Sequence, residues 1–154
     1  MTMRGANILL VEDNEGDVEL TQIAFEHGNL SSQLTVANDG VDALDCLLGR
    51  GKYPKPVIPD LILLDLNMPR MGGKEFLGVV KQNDDLKSIP IIVFTSSEAA
   101  KDIAESYRLH ANSYIIKPFS MQKYIEVAKQ VESFWVRLSI LPHTMPRDDA
   151  RPAG

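Results

Sequence analysis

The sequence predicts a doubly wound α/β domain with a five-stranded parallel sheet. Two observations carry that expectation. Short runs rich in Ile, Leu and Val recur five times, and stretches of helical length and spacing lie between them. The apolar runs are continuous and not alternating, which marks strands covered by helices on both faces.

Taken in order, the strands are read at Asn7–Val11, Leu34–Ala37, Leu61–Leu64, Ile91–Phe94 and Ser113–Ile116. The helices are read at about Asp17–His27, Val41–Leu48, Lys74–Gln82, Ala99–Leu109 and Met121–Leu141. Asn14 can cap the first helix, with Asp17 supplying a carboxylate near the positive helix end. Gly28 follows that helix where a left-handed residue is wanted, and Asn38-Asp39-Gly40 reads as a turn. Tyr53–Pro59, with three prolines, reads as an extended loop. A chain of five βα units implies the strand order 2-1-3-4-5, the flavodoxin-like arrangement. Residues 1–141 read as one domain, with no internal repeat. Residues 142–154, proline-rich with little to bury, read as a poorly ordered tail.

Composition narrows the function classes. The 154 residues suffice for one domain with a proper core. The formal net charge of −5 speaks against nucleic acid as the main partner. No apolar run approaches the roughly 20 residues of a membrane span, and no signal segment opens the chain. Cys46 is the only cysteine, excluding an internal disulfide, and its apolar helical setting reads as core. A cytoplasmic location follows as the expectation.

The chemistry gathers at the strand ends. Ligands of a parallel sheet bind beyond the carboxyl ends of the strands, where strand order reverses. Strands one and three flank that point; one ends in Glu12-Asp13 and the other in Asp65. Three convergent carboxylates repel one another unless a cation lies between them. Oxygen ligands of this kind suit Mg²⁺, and the backbone carbonyl of Asn67 could complete the protein's share. Strand four ends in Thr95-Ser96, which offers hydroxyls, and strand five in Lys117-Pro118, which offers an ammonium. A carboxylate can form an aspartyl phosphate as nucleophile. The cation, the lysine and the threonine hydroxyl would then serve the phosphoryl oxygens. No histidine is needed as a base, because the attacking carboxylate is already ionised.

From about Asn7 to Leu141 the chain resembles the response-regulator receiver family. The matching residues are Val11-Glu12-Asp13-Asn14, Asp60–Pro69 (DLILLDLNMP), Gly73, Thr95-Ser96 and Lys117-Pro118-Phe119. The resemblance implies that Asp65 is the phosphoacceptor and Asp13 a direct metal ligand, with Glu12 acting through water and Asn67 lending its carbonyl. It makes Thr95 the switch hydroxyl, Tyr114 the switch aromatic and Lys117 the phosphate-binding lysine. It also implies a cis Lys117–Pro118 bond, a form that X-Pro bonds reach cheaply. Glu12 departs from the aspartate common at that position, which should alter the metal geometry slightly.

A narrower resemblance rests on Ala111-Asn112-Ser113-Tyr114, Asp102-Ile103 and Phe134-Trp135. These look like the single-domain regulators that partner bacterial phytochrome kinases, and imply such a histidine kinase as partner. A dehalogenase-type phosphohydrolase also uses an aspartyl phosphate, but needs a second acid where Asn67 stands. A pseudo-receiver would have lost residues that are present here. With no DNA-binding or catalytic segment visible after the last helix, the expected output is binding to another protein or control of the kinase itself as a phosphate sink. The last helix carries a stripe of Tyr124, Val127, Ala128, Val131, Trp135 and Leu138. Met121, Ile125, Val136 and Ile140 widen the apolar arc beyond what one sheet needs, which predicts a homodimer through this helix.

Overall fold

The computed structural model describes residues 6–28 and 32–138, and the side chains of these up to residue 135. The elements are β1 (Asn7–Val11), α1 (Glu15–His27), β2 (Gln33–Ala37), α2 (Gly40–Leu48), β3 (Leu61–Leu64), α3 (Gly73–Gln82), β4 (Ile91–Thr95), α4 (Ala100–Arg108), β5 (Ser113–Ile116) and α5 (Met121–Val131). The strands form one parallel sheet in the order β2-β1-β3-β4-β5, as predicted.

The continuous apolar runs resolve into two cores on opposite faces of the sheet. Leu9, Val11, Ile62, Leu64, Ile91 and Val93 pack with α2 and α3 residues such as Cys46, Leu47, Phe76 and Leu77. Their strand neighbours Ile8, Leu10, Leu61, Leu63, Ile92 and Phe94 pack with α1 and α5, through Phe25, Tyr124, Ala128 and Val131. Alternation of side chains across the pleat produces both layers from one apolar run. Full burial of each large aliphatic side chain contributes roughly 1.5–3 kcal/mol. Cys46 lies in the first core at 1% exposure, as its setting in the sequence predicts.

The register aligns the carboxyl ends. Val11 pairs with Leu64 and with Ala37, and Thr95 with Ile116. The ladder extends one bond further at the site, because Glu12 N–H donates to Ala37 O at 3.0 Å and Asp65 N–H to Val11 O at 3.0 Å.

Several local expectations are corrected. Asn14 caps α1 as predicted, its Oδ1 accepting from Asp17 N–H at 2.9 Å. Gly28, however, closes that helix with φ −76°, in the right-handed region. Its own N–H reaches Ala24 O, so the end needs no left-handed residue. The Asn38-Asp39-Gly40 turn is a helix start, since Asp39 Oδ1 accepts from Asp42 N–H at 2.9 Å and α2 begins at Gly40. The peptide bond into Pro118 is trans; no cis bond occurs among the described residues. The single last helix is α only to Val131 and continues as a π-helix over Glu132–Leu138. Hydropathy spacing cannot separate these two windings over so few turns. Met121 and Ile125, assigned beyond the sheet-facing stripe, are partly buried against the second core. The side chain of Val136, together with Ile140 and the tail at 142–154, lies outside the described residues.

Candidate functional site

Every strand except β2 leads into polar groups at the carboxyl edge of the sheet. Glu12, Asp13 and Asp65 bring carboxylate oxygens within 4.8 Å of one another. Glu12 and Asp65 are buried at 2% and 6% exposure, whereas Asp13 is exposed. Asp65 Oδ1 accepts from Leu66 N–H at 2.9 Å, which fixes the carboxylate and leaves Oδ2 to face the cluster. Asn67, itself exposed, lies two residues further on, in the β3–α3 loop.

That loop is held down by Gly73. A Cβ there would stand 2.3 Å from Asp65 O and 2.6 Å from Leu66 Cα, so only glycine lets α3 start against the site's backbone. Gly73 N–H donates to Leu66 O at 3.0 Å across the same contact. The other end of the loop is tied by Arg70, whose φ of 60° is left-handed and whose guanidinium contacts the buried Asp39 carboxylate at 2.6 Å.

Lys117 is the cationic centre of the cluster. Its backbone is fixed by N–H donation to Thr95 O at 2.8 Å. Its Nζ donates to Glu12 Oε1 at 2.5 Å and to Asp17 Oδ2 at 2.8 Å, and lies 3.7 Å from Asp65 Oδ2. Burial alone would push this ammonium's pKa down, but its bonds to Asp17 and Glu12 outweigh that and hold it above the usual lysine range. Burial pushes Glu12 up to about 7; the Lys117 hydrogen bond opposes the rise and the charge of Asp65 adds to it. The carboxylates of Glu12, Asp13, Asp17 and Asp65 thus outnumber the charge of Lys117, and a divalent cation suits the surplus.

Thr95 is fully buried at the end of β4, and its Oγ1 has no protein partner. An orphaned buried hydroxyl beside a charged cluster is a donor awaiting an acceptor. Tyr114, partly buried, donates from its hydroxyl to Ser97 O at 2.8 Å. Ser97 Oγ in turn donates to Asp102 Oδ2, and Lys74 bridges Asp102 and Glu105 at 2.6 Å each. The structure brings Glu12, Asp13, Asp65 and Lys117 together, with Thr95 buried at the end of β4 and Tyr114 bonded to Ser97 just beyond it. The sequence reading missed Asp17 as a partner of Lys117, along with Ser97, Lys74 and the Arg70–Asp39 tie. Asp17 carried a signal only as a helix-start acid, because the lysine that it meets is 100 residues away.

Comparison with known proteins places this geometry. The family model for the response regulator receiver domain matches residues 8–129. The chain belongs to the response regulator receiver family. It is 39% identical over 135 residues to the response regulator Rcp1 of Synechocystis sp., covering 88% of this chain and 92% of Rcp1. Its structure is similar to that of the phosphorylated cyanobacterial phytochrome response regulator RcpA. There the TM-score is 0.84 and the identity 38%, covering 90% of this chain and 99% of RcpA. The Mn²⁺-bound form of Rcp1 superposes with a TM-score of 0.81 at 39% identity, covering 89% and 99% of the two chains. This receiver is therefore related to the phytochrome response regulators, and a phosphoacceptor and a conformational switch are typical of its family. Receiver domains bind a divalent metal at an acidic pocket, and Glu12, Asp13 and Asp65 form one here. No helix among the described residues is long and apolar enough to cross a membrane.

Proposed function

We propose that this receiver accepts a phosphoryl group on Asp65 from a sensor histidine kinase, of phytochrome type, and relays the event through Thr95 and Tyr114 to another protein. The observation that carries the reading is a buried carboxylate, Asp65, clustered with those of Glu12 and Asp13 and facing a buried ammonium, with an orphaned hydroxyl on the adjacent strand. The kinase type rests on the likeness to Rcp1 and RcpA.

Asp65 Oδ2 attacks the phosphorus of the phosphohistidine. The new O–P bond forms as the P–N bond breaks, and the imidazole leaves with its electron pair. Lys117 stands within reach of the phosphoryl oxygens as a point charge. Thr95 donates its free hydroxyl to another phosphoryl oxygen, and its movement gives the ring of Tyr114 room to turn inward from Ser97. Asp13 and Asp65 would hold Mg²⁺ directly, with the Asn67 carbonyl, and Glu12 through water. When bound, Mg²⁺ neutralises phosphoryl charge and brings the reacting groups together. The protein itself catalyses only this transfer and a slow loss of the phosphoryl group. On this reading residues 1–141 are the functional unit, 142–154 an appended tail, and the setting cytoplasmic, with no nucleic acid as partner.

Asp65→Asn keeps the shape but removes the nucleophile, and should abolish stable phosphorylation by the kinase with the circular dichroism spectrum unchanged. Full phosphotransfer to that variant would overturn the assignment. Asp13→Ala should strongly weaken Mg²⁺ binding by calorimetry, and unchanged affinity would remove its ligand role. We also infer a homodimer through the last helix, supported by the apolar residues Val136 and Ile140 in the sequence. Val136→Glu with Ile140→Glu should give a folded monomer. Light scattering showing the unmutated protein monomeric at tens of micromolar, phosphorylated or not, would refute the dimer.

A further inference from the structure

Lys117 is shared unequally among three carboxylates, and their surroundings differ. Glu12 is 2% exposed, so loss of its partner would leave its carboxylate largely buried. Asp65 is 3.7 Å away, beyond hydrogen-bond distance. Asp17 binds Nζ at 2.8 Å, yet its side chain is 29% exposed.

The position of Asp17 suits a partner that lets go. It stands in the first turn of α1, where the helix dipole favours a carboxylate with or without the lysine. Its backbone is held on both sides, N–H to Asn14 Oδ1 at 2.9 Å and C=O from Thr21 Oγ1 at 2.8 Å. Loss of Lys117 therefore exposes the Asp17 carboxylate to water and to the helix terminus without disturbing the helix. The same loss at Glu12 would leave a buried charge, which is far more costly.

We propose that Asp17 is a positioning residue that holds Lys117 back from Asp65 before phosphorylation and yields it to the phosphoryl group afterwards. Asp17 acts through Lys117 and touches no reacting atom. Its hold raises the free energy needed to deliver the ammonium, so it weakens capture of the phosphoryl group and favours its return. Freed of Asp17, the ammonium retains Glu12 as its anchor and swings only toward Asp65. The inference rests on the assignment of Asp65 and Lys117 above.

The test uses the full chain with Mg²⁺ and beryllofluoride as phosphoryl mimic, followed by calorimetry. Asp17→Asn keeps size and capping geometry but weakens the hold. It should bind beryllofluoride about fivefold more tightly, the scale set by one partly exposed ion pair. Mg²⁺ affinity without the mimic should stay equal or fall, because a nearby negative charge is lost. A purely structural acid would move both affinities together, or neither.

The same substitution in a Lys117→Met background separates action through the lysine from bare charge, and there the gain should vanish. Should the Lys117→Met background bind too weakly to measure, Asp17→Glu supplies the check: restoring the carboxylate should return affinity toward the unmutated value. Unchanged or weaker beryllofluoride binding by Asp17→Asn, or an equal gain in the Lys117→Met background, would overturn the proposal. Failure of the unmutated protein to bind beryllofluoride at all would instead overturn the phosphoacceptor reading on which it rests.

Discussion

Replacing Thr95 with valine should stabilise this protein and impair its response in the same stroke. Thr95 is fully buried, and its Oγ1 has no protein partner. A buried hydroxyl left unpaired costs about 1–3 kcal/mol in protein mutational series. Valine has the same shape and the same β-branched preference for a strand, so neither cavity nor backbone penalty offsets the gain. Taking the lower bound, Thr95→Val should add about 1 kcal/mol. With a urea slope of about 2 kcal/mol per molar, the midpoint should rise by about 0.5 M with an unchanged slope. The melting temperature should rise by about 2–4 °C. The phosphoryl group gives the opposite sign. Valine cannot donate, and the lost charge-assisted bond of about 1.5–3 kcal/mol should loosen beryllofluoride by roughly tenfold or more. Urea titration with and without Mg²⁺ and beryllofluoride measures both effects on one sample. A lower midpoint for Thr95→Val in the free protein would refute the claim that the hydroxyl is held unpaired. Unchanged affinity for the mimic would refute its role as donor.

Two further outcomes follow from the loops around the site. Gly73→Ala forces a Cβ to 2.3 Å from Asp65 O, backbone against side chain with no flexible neighbour to yield; urea denaturation should show a loss of about 1–3 kcal/mol, and Mg²⁺ affinity should fall with it. A loss below about 0.5 kcal/mol would mean that the β3–α3 loop shifts freely. Asp39 offers a test by pH. Burial pushes its pKa up, but the Asp42 N–H and the Arg70 guanidinium outweigh burial and hold it below the usual carboxylate value. A depressed carboxylate adds stability above its unfolded pKa and loses it as pH falls through the folded one. Asp39→Asn should therefore flatten the acid side of the stability curve below about pH 4, and an unaltered acid limb would contradict the Arg70 tie.

The sequence by itself determined the architecture, the strand order and the set of groups at one edge. The reason is local. Apolar runs of strand length, buried on both faces, need helices above and below, and a parallel sheet puts every strand's carboxyl end on one side. Glu12, Asp13, Asp65, Thr95 and Lys117 could thus be assembled from their places at strand ends alone. What tertiary structure decided was pairing and winding. Three carboxylates compete for Lys117, and nothing local tells which of them holds it; the end of β1 supplies Glu12 and the first turn of α1 supplies Asp17, which leaves Asp65 at 3.7 Å. The orphan state of the Thr95 hydroxyl is equally invisible in sequence, since a threonine at a strand end normally finds a partner. Gly28 and the last helix show the same limit. A helix end that closes on its own right-handed turn, and an α-helix that widens to a π-helix at Glu132, keep the hydropathy pattern while changing the backbone. Sequence periodicity reports which face of an element is apolar, whereas hydrogen-bond pairing depends on atoms brought together from distant parts of the chain.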